Sequence, residues 1–300
     1  MKLRSYEGQH DLYAMLDLLS EGRRANNGTY YIHRGDLQWW LFYTELSDGL
    51  WQSRIRLWVE ADRLVGWGLL SPEEDAFDVF TLPTLRDDPR EREMLAAIVN
   101  EMSGLDELNN IWVADDDNVR IQWFEDDGFE VADEHFVHFK RSLSGALIGP
   151  QLPVGFSLRT SRGDEADARL RAVASHAAFK SGRSFEQYWL RTLRFVQSPV
   201  YMPEHEIFVI APNGQVAAYC IIWTDELTKV GHFEPVGTHP DFQRKGLGKS
   251  LLFEALRKLK SEGMTEADVC THHDNLAAIR LYESVGFQKN KRLLTYKKRG

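Results

Sequence analysis

The sequence predicts a mixed α/β chain made of two similar units in tandem. Three observations carry that reading. Residues 229–259 run from a strand, through a turn beginning at Pro240, into a glycine-bearing loop and an amphipathic helix. Two apolar runs, 207–211 and 216–223, flank Asn213-Gly214, a dipeptide that favours a tight hairpin turn. Matching segments also recur at an offset of about 150 to 158 residues, so the repeat unit is a whole domain.

The bounds agree with two domains. A 300-residue chain can bury two ordinary cores. Its 43% hydrophobic and 27% charged content is that of a soluble globular protein. The net charge of −9 argues against nucleic acid as a main partner and is compatible with a cationic amine. Met1-Lys-Leu-Arg-Ser-Tyr-Glu lacks the apolar run of a signal peptide, and no stretch reaches membrane-spanning length. Cys220 and Cys270 fall in apolar, strand-like contexts without disulfide or metal spacing, so buried, reduced thiols and a cytoplasmic location are expected.

In chain order, Leu3-Arg4-Ser5 opens the first half as Leu158-Arg159-Thr160 opens the second, each ahead of a helical stretch. Glu60 to Leu70 parallels Ala211 to Ile221, both reading as strand, polar turn and strand. The segment from Asp117 through Trp123-Phe124 to Gly128-Phe129 parallels that from Asp274 through Leu281-Tyr282 to Gly286-Phe287. The aromatic cluster Trp39-Trp40-Phe42-Tyr43, with Trp51 and Trp58, reads first as core and second as a wall of a cleft. Residues 143–156, with three glycines and two prolines, read as a linker. In the second half a break at Ser181-Gly182-Arg183-Ser184 divides two helices and precedes Phe185, Tyr188 and Trp189.

The glycine loop carries the chemistry. From Leu247 the helix repeats apolar residues at Leu251, Leu252, Ala255, Leu256 and Leu259 on one face. Gly246 and Gly248 leave the backbone N–H groups of its first turn open, which suits a phosphate or pyrophosphate. Arg244, Lys245 and Lys249 add positive charge. Pro235 has no N–H to give to a ladder and marks an edge, a bulge or a splay in the preceding strand.

Gln-x-x-Gly-x-Gly at 243–248, followed by Asn-x-x-Ala-x-x-Leu-Tyr-x-x-x-Gly-Phe at 275–287, resembles the GNAT superfamily of acetyl-CoA-dependent N-acetyltransferases. The resemblance covers roughly residues 157–297. It implies two tandem GNAT-like domains, each with a mixed, mostly antiparallel sheet flanked by helices. Their expected bounds are 1–142 for a worn, non-catalytic copy, 143–156 for the linker and 157–300 for the catalytic copy. This layout resembles mycothiol synthase in architecture. The first copy has no glycine across Thr81–Met94, carries several acids there, and has Phe124 where the second has Tyr282, so it is expected to bind acetyl-CoA poorly or not at all.

The resemblance also implies residue roles. Val236, Gly237 and Thr238 would contact the pantetheine and acetyl group, with a backbone N–H near Val236 facing the thioester oxygen. Gln243, Arg244, Lys245, Gly246, Leu247, Gly248 and Lys249 would hold the pyrophosphate. Asn275 would hold the CoA arm, with helix capping as the other reading. Glu234 would take the amine proton, with His232 and His239 as other bases, and Tyr282 would protonate the leaving thiolate. Residues 164–197 would form part of the acceptor pocket. No metal is expected: His232, His239, His272 and His273 do not recur at ligand spacing. The expected reaction is direct acetyl transfer to a small-molecule amine in a ternary complex. The other reading is a silent acyl-CoA-binding regulator or scaffold. A tandem fold mimics a dimer within one chain, so a monomer or a dimer is expected.

Overall fold

One twelve-stranded sheet runs through both halves of the chain. The computed structural model describes residues 1–25, 30–44, 50–71, 76–102 and 110–298. The first half comprises β1 (Lys2–Ser5), α1 (Gln9–Ala25), α2 (Arg34–Trp39), β2 (Ile55–Glu60), β3 (Arg63–Ser71) and β4 (Ala76–Thr81). It continues with α3 (Pro89–Met102), β5 (Asn110–Ala114), α4 (Asn118–Asp126) and β6 (Phe129–Ser142). Residues 143–156 form neither helix nor strand. The second half comprises β7 (Ser157–Thr160), α5 (Glu165–Ala178), α6 (Phe185–Val196), β8 (Glu206–Ile210), β9 (Val216–Asp225) and β10 (Val230–Thr238). Then follow α7 (Leu247–Ser261), β11 (Glu266–His272), α8 (Leu276–Ser284) and β12 (Gln288–Lys298).

Local chemistry sets these elements. Ser184 caps α6 in a capping box with Gln187, Asp164 caps α5, and the predicted helix face of α7 is buried along its length. The repeat seen in sequence is physical: Arg4 grips Asp11 with two hydrogen bonds of 2.7 and 2.5 Å, and Arg159 grips Asp167 with two of 2.6 and 2.7 Å. Each bidentate pair ties the first strand of its half to the helix that follows.

The halves do not stand side by side as separate sheets. Strand order is β1-β2-β3-β4-β5-β12-β6-β11-β10-β9-β8-β7. The last strand of each half therefore lies in the other's ladder: β12 pairs with β5, β6 pairs with β11, and the two exchanged strands pair with each other. A second seam lies on the sheet. The helical segment Trp40–Thr44, a continuation of α2 with a π-type turn, packs its aromatics against α5 and α6. Arg191 on α6 donates to the carbonyls of Tyr43 and Thr44. Gly35 of α2 meets Trp223 of β9 so closely that a Cβ there would lie 2.4 Å from the indole.

Beneath α2 a buried ion network joins the halves. Asp268 of β11 accepts from Arg23 of α1 at 2.5 Å, from His232 of β10 at 2.7 Å and from His138 of the exchanged β6 at 3.2 Å. The other nitrogen of His232 lies 2.8 Å from Asp36 of α2, an ion contact outside hydrogen-bond alignment. Burial alone would lower the His232 pKa; Asp36 and Asp268 instead raise it to about 10. Arg23 and the two histidines hold Asp268 well below its usual range against the cost of its burial.

His232 titrates near 6.5 when unfolded and near 10 when folded, so its contribution to stability is complete below pH 6.5 and declines as pH rises towards 10. Asp268 contributes above its unfolded value of 3.8 and loses that share only in acid. Urea unfolding of the wild type is expected to show falling stability between pH 7 and 10, with a flatter profile in His232→Gln. Asp268→Asn, which leaves Arg23 and His232 buried together, should cost about 3–5 kcal/mol. Equal slopes in wild type and variant would contradict this assignment.

Candidate active site

The site begins where β10 and β11 part. Their parallel ladder comprises Val230, Gly231 and His232 against Glu266, Ala267 and Asp268, and no pair is formed beyond it. On its other edge β10 stays paired with β9, through a bulge between Phe233 and Val236, with Val236, Gly237 and Thr238 opposite Cys220, Tyr219 and Ala218. The N–H of His239 goes to Ala217 on β9. Alternation along an extended strand then turns the N–H groups of Val236 and Thr238 towards the gap. The splay expected at Pro235 is thus a property of the fold.

The glycine loop lies at the far end of that gap. Gly246 caps α7 in the left-handed conformation at φ +77°, and no side chain caps the helix, so its first-turn N–H groups have no side-chain partner. Gln243 donates to the carbonyl of Thr238 at 3.2 Å and ties the loop to β10. Arg244, Lys245 and Lys249 are exposed around it, and Lys245 also donates to the Asp241 carbonyl at 3.1 Å. Leu247 is core, so only its backbone faces the loop. Gly248 closes α7 onto Leu281 and Thr238, with 3.3 and 3.4 Å available to a Cβ. Asn275 caps α8 through Ala278 N–H at 3.2 Å.

Tyr282 on α8 packs its ring against Phe139 of the exchanged β6 and against Phe287, and its hydroxyl makes no hydrogen bond among the described residues. Burial, with Glu234 and the Cys270 and Cys220 thiols behind it, pushes its pKa far up, so the phenol stays protonated. Glu234 is half-buried, and the Trp223 indole fixes its backbone carbonyl at 2.8 Å. His232 is removed as a base: both nitrogens face carboxylates and its pKa is about 10. His239 instead caps the short turn Pro240–Phe242, accepting from Asp241 N–H at 3.3 Å. His272 pairs with Asp274, and His273 stacks on His135. No metal-holding cluster of His, Cys, Asp or Glu occurs among the described residues.

A cleft of about 220 Å³ opens beside Glu234. The second half lends it Glu234, Cys270 and Leu293, and the rest of its described lining belongs to the first half. Trp39 and Trp40 line it, whereas Phe42, Tyr43, Trp51 and Trp58 pack in the cores, so the aromatic cluster divides between the two uses. Residues 164–197 do not line this cleft as expected. Tyr188 and Trp189 instead pack in the core that holds Trp39 and Tyr43. Sequence reasoning missed Asp36, Asp78, Trp112, Phe136 and Cys270, which the fold brings there. His33 and Asp36 form the capping box of α2, a local role that does not point to a cleft.

Residues 171–287 match the acetyltransferase (GNAT) family model. The second half is a GNAT acetyltransferase domain. The chain is 26% identical over 247 residues to the mycothiol acetyltransferase of Kocuria rhizophila, covering 77% of this chain and 79% of that one. It is 27% identical over 242 residues to the protein of the same name from Saccharomonospora viridis, covering 76% and 77%. A solved tandem GNAT protein from the clavulanic acid biosynthesis pathway matches at a TM-score of 0.69 over 99% of this chain and 98% of that one. Its 14% identity makes this a likeness of fold. The protein is an acyltransferase, and no helix among its described residues is long and apolar enough to cross a membrane.

The first half keeps the GNAT outline but fills its own anion site. Its short turn Pro83–Leu85 and Asp87 at φ +66° match Pro240–Phe242 and Arg244 at φ +60°. In place of open N–H groups it has Glu91, fully buried in the first turn of α3, accepting from Asp87 N–H at 3.0 Å. Arg86 and Arg120 pair with the same carboxylate at 2.6 and 2.9 Å and hold it below its usual range against burial. Arg86 also grips Asp117, the cap of α4. Asp78 accepts Val79 N–H at 2.7 Å, at the position matching Val236. Glu91 thus takes the loop N–H of Asp87, and Asp88 takes the Arg90 N–H of α3, so the matching loop already holds carboxylates where a phosphate would otherwise sit.

Calorimetric titration with acetyl-CoA is therefore expected to give one equivalent per chain; two would contradict the filled first site. Gly246→Ala, which forces a Cβ into the left-handed conformation, should lower the stability of the protein to urea by about 1–2 kcal/mol.

Proposed function

We propose that the second half moves the acetyl group of acetyl-CoA to a primary amine of a small molecule, by direct attack in a ternary complex. One observation carries this reading: β10 and β11 diverge beyond His232 and Asp268, between an uncapped helix N-terminus and the cleft beside Glu234. The gap would take the pantetheine arm along Val236, Gly237 and Thr238. The first turn of α7, with Gln243, Arg244, Lys245, Gly246, Gly248 and Lys249, would receive the pyrophosphate. Asn275, besides capping α8, would face the CoA arm.

In this scheme the amine enters from the cleft and loses its proton to Glu234, directly or through water. It attacks the thioester carbonyl, whose developing oxyanion is met by Val236 N–H. The tetrahedral intermediate collapses and the C–S bond breaks. Tyr282 donates its proton to the departing thiolate, the task for which its hydroxyl has no competing partner among the described residues. The relatives named mycothiol acetyltransferase support acetyl transfer to a small molecule. Two free cysteines are in keeping with a cytoplasmic enzyme.

CoA release followed with a thiol reagent, across a panel of amines, tests the scheme. Tyr282→Phe is expected to lower kcat at least tenfold with acetyl-CoA affinity unchanged. Glu234→Gln should lower kcat/KM at least a hundredfold near pH 7 and recover in part at alkaline pH, where the amine deprotonates unaided. Unchanged turnover in Tyr282→Phe would remove the tyrosine from the reaction.

A further inference from the structure

The described lining of the cleft is flat and apolar on most sides. Tyr30, Trp39, Trp40, Phe77, Trp112 and Phe136 supply aromatic surface. These walls are braced before any ligand arrives. Trp39 stacks on Tyr43 at 3.9 Å and meets the edge of Phe195, while Trp112 and Phe136 form a T-shaped pair at 5.7 Å across β12. Besides the indole N–H groups of its tryptophans, the polar side chains are few: the hydroxyls of Thr44, Ser71 and Tyr30, the Cys270 thiol, and the carboxylates of Asp36, Asp78 and Glu234. No Lys, Arg or His is among the described lining residues.

These facts discriminate between acceptors. A hydroxyl-rich body would lose water against aromatic faces and find few partners, at a cost for each group left unpaired. An anionic substituent would meet three carboxylates and no lining cation. A protonated amine on an apolar body gains on both counts, since aromatic faces attract cations as well as apolar surface. Of the three acids, Asp36 is engaged by His232, and Glu234 sits at the opening between the strands. Asp78, the other acid from the first half, lies 3.6 Å from Arg120, and burial pushes its pKa up to about 6.

We propose that the acceptor is a compact arylalkyl or alkyl primary amine without hydroxyl-rich or anionic substituents, and that Asp78 of the non-catalytic half helps select it. This rests on the reading of the cleft as the acceptor site. A cysteinyl glucosaminyl-inositol, which carries many hydroxyls, would be disfavoured in such a cleft.

The experiment uses the full-length protein with saturating acetyl-CoA and compares phenethylamine and hexylamine with glucosamine and cysteinyl glucosaminyl-inositol. CoA release reads turnover; quenching of intrinsic tryptophan fluorescence, with CoA present, reads amine binding. The expected result is a kcat/KM at least tenfold higher for the apolar amines. Asp78→Asn should raise their KM about tenfold, a larger effect than on kcat. Trp112→Ala, remote from the Arg120 cluster, should raise the KM of phenethylamine more than that of hexylamine. Equal or better turnover of the hydroxylated amines overturns the proposal and leaves acetyl transfer standing. Quenching by phenethylamine without turnover of any amine removes the acetyl-transfer reading but keeps the cleft's selectivity. Neither quenching nor turnover with the apolar amines overturns the proposal.

Discussion

The exchange of final strands is the constraint on which this molecule depends. Because β6 lies between β12 and β11, the second half cannot complete its sheet from its own residues. The same strand places Phe139 against Tyr282, His138 against Asp268 and Phe136 in the cleft wall. A strand of the first half thus supports the proposed acid, the buried ion network and the proposed acceptor pocket together. Splitting such a sheet would expose unpaired edges at its centre, where both neighbours are needed.

The buried charges follow from the same seam. Replacing ion pairs with apolar residues is often neutral or stabilising, so a network like that around Asp268 is poor evidence of stability alone. Its effect here is positional. Arg23, Asp36 and His138 come from three elements of the first half and converge on β10 and β11 at the last pairs before the strands part. The opening therefore has a charged, cross-linked hinge rather than a free end, and Glu234 stands just beyond it.

Much of this was legible in the chain. The strand, glycine loop and helix around 230–259, the Asn213-Gly214 hairpin and the domain-length repeat depend on local periodicity and turn chemistry, which a sequence displays directly. The candidate residues of the second half lie within two short segments for the same reason. The exchange was not legible, because β6 and β12 have the same pattern whichever ladder they join. Nor were Asp36 and Asp78: one sits in the first turn of α2, the other in the apolar strand β4, and only the packing of distant elements brings them to one cavity. The two halves also show one fold adapted in opposite ways. An open helix end at Gly246 invites an anion, while Glu91 and Asp88 already place carboxylates in the matching loop.

The most direct test of a site shared between halves is to produce residues 1–142 and 143–300 as separate chains and assay acetyl transfer alone and after mixing. The shared sheet predicts that neither fragment turns over acetyl-CoA alone, and that mixing restores both cooperative unfolding and activity. Full kcat/KM from residues 143–300 by themselves would contradict it, and would place both the acceptor pocket and the support of Tyr282 within the second half.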